Sequence, residues 1–135
     1  MKKLYLFLVI NLFLLPSCGH SDSKPQLKSL RVKASAYNNL PGQTHRDHFA
    51  IGAWGDTLKE GQHIIAISRD LIDSGINHNT LVYIEGFEYP FLVRDKMNRR
   101  WVKKVDIFMG KDREKAFKFG VKELKISWTP ENPKK

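Results

Sequence analysis

Two aspartates stand eleven positions apart, Asp95 at the end of the apolar run Phe91-Leu92-Val93 and Asp106 opening the run Ile107-Phe108-Met109. Between them lies Lys96-Met97-Asn98-Arg99-Arg100-Trp101-Val102-Lys103-Lys104-Val105, mostly basic and amide residues. The pattern predicts strand, loop, strand, with each strand end delivering a carboxylate to one cleft. Paired carboxyls suit general acid–base work, because a like charge nearby disfavours ionising both and keeps one protonated. Adjacent cations act the other way where they point inward. Alternation places Arg94 and Lys96 opposite Asp95 but Lys104 on the Asp106 side, so Lys104 is the cation expected to matter.

Other residues invite chemistry less strongly. Thr44, His45 and His48 are close together, but Pro41-Gly42 just upstream makes the stretch a loop, and no cysteine or third clustered ligand supports zinc. No metal and no cofactor are expected. Asp70 falls in the first turn of a short predicted helix, Arg69 to Ser74, with Ser68 as N-cap and Gly75 as its stop. Its carboxylate serves that helix or joins the pair.

The elements that position these residues are read from period and punctuation. Leu30, Val32, Ala34 and Ala36 alternate with Arg31, Lys33, Ser35 and Tyr37, a half-buried strand closed by Asn38-Asn39-Leu40-Pro41-Gly42. His63-Ile64-Ile65-Ala66-Ile67 is near-continuously apolar, the mark of a strand buried on both faces. Thr80 to Ile84 is a further strand, closed by Glu85-Gly86. Asp112 caps a helix ending near Phe119-Gly120, and Val121 to Trp128 suits a last strand. Six or seven short strands, two short helices and no repeat predict a small, mainly β, barrel-like domain over residues 30–128.

The first 17 residues divide as a secretory signal does: Lys2 and Lys3, then an apolar run from Leu4 to Leu15 that is too short to span a membrane. Leu15-Pro16-Ser17-Cys18 resembles a bacterial lipoprotein box, which implies cleavage before Cys18 and acylation of this single cysteine. Residues 18–29 then read as a polar tether, and 129–135 as a polar tail. Loss of Lys2 and Lys3 lowers the formal charge from +9 to +7. A basic exported domain meets anionic lipids and wall polymers. Export and the lack of a nucleic-acid motif argue against a nucleic-acid partner. A lipid-anchored monomer in the cell envelope is expected. Gly19, where many inner-membrane lipoproteins carry aspartate, favours the outer membrane, with the domain facing the periplasm.

Ser35-Ala36-Tyr37, Ile65-Ala66-Ile67, Thr80-Leu81-Val82-Tyr83-Ile84-Glu85-Gly86, Asp95 with Asp106, and Ala116-Phe117 with Phe119-Gly120 together resemble the 3D (triple-aspartate) domain. Its relatives include the barrel of the membrane-bound lytic transglycosylase A family. The resemblance implies a six-stranded double-psi β-barrel acting on peptidoglycan. It implies cleavage of the β-1,4 bond between N-acetylmuramic acid and N-acetylglucosamine, with Asp106 as acid and base and Asp95 as its neighbour. Tyr37, Thr44, Met97, Arg99 and Trp101 are then substrate contacts. Two departures stand out. The glycine-rich loop of the family is replaced by Lys96 to Val102, and Ser68 occupies the place of the first aspartate, which leaves Asp70 as a substitute catalytic carboxylate. They keep open an alternative, a barrel that binds wall glycan or an envelope protein without cleaving it.

Overall fold

The computed structural model describes residues 26–40 and 50–130. Cys18, Thr44, His45 and His48 lie outside the described residues. Six strands, β1 (Lys28–Tyr37), β2 (Ile64–Ile67), β3 (Leu81–Ile84), β4 (Phe91–Lys96), β5 (Lys104–Phe108) and β6 (Lys122–Trp128), close into one barrel. Around the barrel their order is β1-β5-β2-β4-β3-β6. Pairs β1/β5 and β2/β4 are parallel and the other four antiparallel, the mixed pattern of a double-psi-like barrel. Two short helices complete it, α1 (Asp70–Asp73) and α2 (Arg113–Phe119). The expected mainly β barrel with two short helices is what forms. No helix among the described residues is long and apolar enough to cross a membrane.

Alternation builds the interior. Val32 and Ala34, Ile65 and Ile67, Val82 and Ile84, Phe91 and Val93, Val105 and Ile107, and Ile126 and Trp128 fill it, two from each strand. Each large aliphatic side chain buried there contributes about 1.5–3 kcal/mol. β2 is covered on its outer face as well: Ile64 joins Leu58 and Phe108 in a second cluster against which Tyr37 packs. That is why its apolar run is continuous.

Two local expectations are corrected, at Asp106 and at Ser68. Asp106 is the third residue of β5 and does not open it. The strands that carry Asp95 and Asp106 are separated by β2. Ser68 does not cap α1, whose N-cap is Arg69 with no side-chain hydrogen bond. The Ser68 hydroxyl instead accepts the Lys104 N–H at 2.9 Å and fixes the start of β5. At α2 the expected cap is present: Asp112 Oδ1 accepts the Lys115 N–H at 2.8 Å.

Candidate functional site

β2 carries a small residue, Ala66, between two chemically active neighbours. Its register partner on β4 is Asp95 and its partner on β5 is Asp106, whose own partner on β1 is Ser35. Four residues from four adjacent strands thus form one lateral row, and lateral neighbours share a face of the sheet. The face is the outer one, since Ile65 and Ile67 on either side of Ala66 point into the core.

Asp95 reaches this row through a β-bulge. Ile65 pairs with Val93, but the next residue, Ala66, pairs with Asp95, so Arg94 is the additional residue. Bulges re-aim side chains in this way beside functional sites. Without it, the inward alternation of Phe91 and Val93 would carry Asp95 into the core.

The two carboxyls are held differently. Asp95 Oδ1 accepts the N–H groups of Ala53 at 2.7 Å and Lys96 at 2.8 Å, and Oδ2 faces the Tyr37 hydroxyl at 3.4 Å. Among the described residues Asp106 has one donor, the Ser35 hydroxyl, at 2.6 Å from Oδ1. Burial pushes both above the usual carboxylate range. For Asp95 the three donors and the Lys96 charge oppose that push. For Asp106 the Ser35 hydrogen bond and the Lys104 ammonium oppose it, and the charge of Asp95 adds to it. Tyr37 stays a neutral phenol: burial, then the charges of Asp95 and Asp106, push its ionisation far up. The row therefore combines a carboxyl supplied with three donors and a second supplied, among the described residues, with one.

Trp101 lies at the edge of this group. It is 37% exposed, with the Lys104 ammonium 3.8 Å and the Arg100 guanidinium 5.1 Å from its ring centre. Lys104 therefore links the exposed indole to the field at Asp106, the part expected of this cation. Arg99 is exposed in the same loop. Met97 sits elsewhere: it is 8% exposed, its N–H donates to Ile67 O and its carbonyl accepts from Arg69 Nε, so it holds the loop root to β2. Asp70 is not in the row. Its Oδ2 accepts the Lys103 N–H at 2.9 Å, which secures that residue in a left-handed conformation at φ 46°, while its Oδ1 is buried without a partner among the described residues.

Sequence reasoning passed over Ser35 and the Ala50–Leu58 hairpin that supplies the Ala53 N–H. Ser35 carried a signal, since a serine on the outer face of β1 is in register with whatever β5 presents. Ala53 carried none, because a backbone donor has no residue type.

No family model matches the chain, and no curated protein does. Among solved structures, the apo form of an expansin from Clavibacter michiganensis superposes with a TM-score of 0.50 at 16% identity, over 80% of this chain and 53% of that one. An aspartate-to-asparagine variant of the Clavibacter michiganensis expansin, in complex with cellohexaose, gives 0.49 at the same identity and coverage. The chain spans about half the length of these expansins. At such low identity the likeness establishes the shared barrel fold.

Proposed function

We propose that this protein is a lipid-anchored envelope protein that cleaves peptidoglycan glycan strands, with Asp106 as the acid and base of a 3D-type barrel. The observation that supports this most is the bulge at Arg94, which sets Asp95 and Asp106 on either side of Ala66 in one part-buried row. Protonated Asp106 gives its proton to the glycosidic oxygen as the bond to the muramic acid anomeric carbon breaks. The Asp106 carboxylate then takes the proton of the muramic acid 6-hydroxyl, whose oxygen closes on that carbon to give a 1,6-anhydro end. One carboxyl serves both steps because the sugar supplies the nucleophile. Asp95, whose donors favour the carboxylate against the push of burial, adds by its charge to the proton affinity of Asp106 and faces the cationic sugar centre as it develops. Trp101 offers a stacking face, and Arg99, Arg100 and Lys104 suit the carboxylates of the wall polymer.

The test is to incubate the full chain in detergent with purified peptidoglycan and analyse the products by mass spectrometry. The reading expects 1,6-anhydromuropeptides from the unaltered protein and none from Asp106→Asn. Reducing-end products would mean attack by water and overturn the intramolecular step. Anchoring is tested by Cys18→Ala, which should move the protein from the membrane fraction to the soluble one. A second reading, a barrel that binds glycan without cutting it, is favoured by one observation. Asp95 Oδ1 already accepts two backbone N–H groups, as a purely structural aspartate does. Sedimentation with insoluble wall in the absence of any product would select it.

A further inference from the structure

We infer that Asp56 is a positioning residue for Asp95: gripped by Arg94 and His78, it fixes the Ala50–Leu58 hairpin so that Ala53 aims its N–H at the Asp95 carboxylate. The catalytic use of that hydrogen bond rests on the acid/base reading above; the hydrogen bond itself does not.

The hairpin is internally closed, so a force on one of its residues reaches the others. Gly52 N donates to Asp56 O at 2.8 Å, Gly55 N to Gly52 O at 2.8 Å and Leu58 N to Ala50 O at 2.7 Å, with Ile51 and Thr57 bridged. Gly55 takes the turn at φ 89°, a conformation that favours glycine. Asp56 and Ala53 are thereby tied together within one turn.

Four attachments then fix the hairpin beside Asp95. Both oxygens of Asp56 are engaged, Oδ1 by the Arg94 guanidinium and Oδ2 by His78 Nε2 at 2.5 Å. Against its own desolvation, these two partners hold Asp56 below the usual carboxylate range. Gly52 lies so close to β4 that an added Cβ would collide with the Arg94 carbonyl oxygen. Leu58 is buried against Ile64 and Phe108. Trp54, also of the hairpin, stacks on the His78 ring at 5.1 Å and 20°, and Lys96 Nζ lies 4.5 Å from the indole centre.

Arg94 joins the two halves of this device. It is the additional residue at the bulge, so the insertion that brings Asp95 beside Ala66 also leaves the neighbouring guanidinium free to take Asp56. A single irregularity in β4 aims the carboxyl and secures the hairpin that supplies its donor. Among the described residues, the charged and titratable groups facing Asp95 are Tyr37, Lys96 and Asp106, and those facing Asp56 are Arg94 and His78.

The test is NMR on the full chain in detergent micelles, with labelled aspartate carboxyls followed through a pH titration and amide exchange read at Ala53. In the unaltered protein the Ala53 amide shift should titrate with the same midpoint as the Asp95 carboxyl. In Asp56→Asn and in Arg94→Gln the Ala53 amide should exchange on the order of tenfold faster, the change expected when one hydrogen bond is lost. The Asp95 midpoint should rise in both. An Ala53 amide that ignores Asp95 in the unaltered protein overturns the inference without any variant. So does an unchanged Asp95 midpoint in folded variants, even where their melting temperature falls. None of these readouts uses a substrate, so failure of the glycan-cleavage reading shows separately, as absence of product.

Discussion

The Ser35 hydroxyl donates to Asp106 across the β1/β5 pair at 2.6 Å, the closest hydrogen bond to either carboxyl of the row. It favours the charged form of Asp106 and so opposes the push of burial. Activity that needs a protonated Asp106 falls as pH rises through its pKa. Ser35→Ala removes the bond and should move that falling limb of the kcat/KM profile to higher pH. Lys104→Gln, which removes the ammonium acting in the same sense, should move it the same way. A limb that stays in place in both variants would show that Asp106 is not the acid.

Both carboxyls of the row have pKa values raised in the folded state, which fixes the sign of their effect on stability. Their contribution is fully present below the unfolded value near pH ~4 and is lost as pH rises through the folded values. Asp106→Asn keeps an acceptor for Ser35 and cannot ionise. Its melting temperature should exceed that of the unaltered protein at pH 7, and the two should converge near pH ~4. Equal differences at both pH values would mean that Asp106 carries no strained charge.

Ala66 is 4% exposed and separates the two carboxyls. Ala66→Leu places four-carbon bulk in that position. A displacement of about 1 Å costs an oriented catalytic group ~10²-fold, and overpacking costs about 1–3 kcal/mol. Cleavage should therefore fall on the order of 10²-fold in a protein that still folds, as read by product formation beside urea denaturation.

Trp101 offers an exposed aromatic face, and Lys104, whose charge acts on Asp106, rests on it. Trp101→Ala should weaken retention on insoluble wall by roughly tenfold, the size of one lost aromatic contact of ~1.5 kcal/mol. Adding salt should weaken retention of the unaltered protein further, since Arg99 and Arg100 act through exposed charge. Salt-independent retention, unaffected by Trp101→Ala, would remove this loop from the binding surface.

The alternating stretch at Leu30 to Tyr37, the doubly buried Ile64-Ile65-Ala66-Ile67, the Asp112 cap and the Gly120 stop were all legible in the chain. Each is a local matter of side-chain period or backbone preference, and the closed barrel follows from how many apolar faces need covering. The pair Asp95 and Asp106 was legible too, as residue types at a spacing. Their meeting was not. The loop between them reads only as a connection between two strands, yet β2 lies between β4 and β5, and a strand inserted from distant sequence leaves no mark on the segment it separates. Nor does alternation foretell the bulge at Arg94, because an extra residue in a ladder is defined only by the partner strand. Asp70 and Met97 show the same limit: in both, backbone partners at Lys103 and Ile67 decided the role. Residue type and period thus determined the strands and named the two carboxyls. Which face each carboxyl took, and which distant donors reached it, was decided by strand register, a property of pairs of segments.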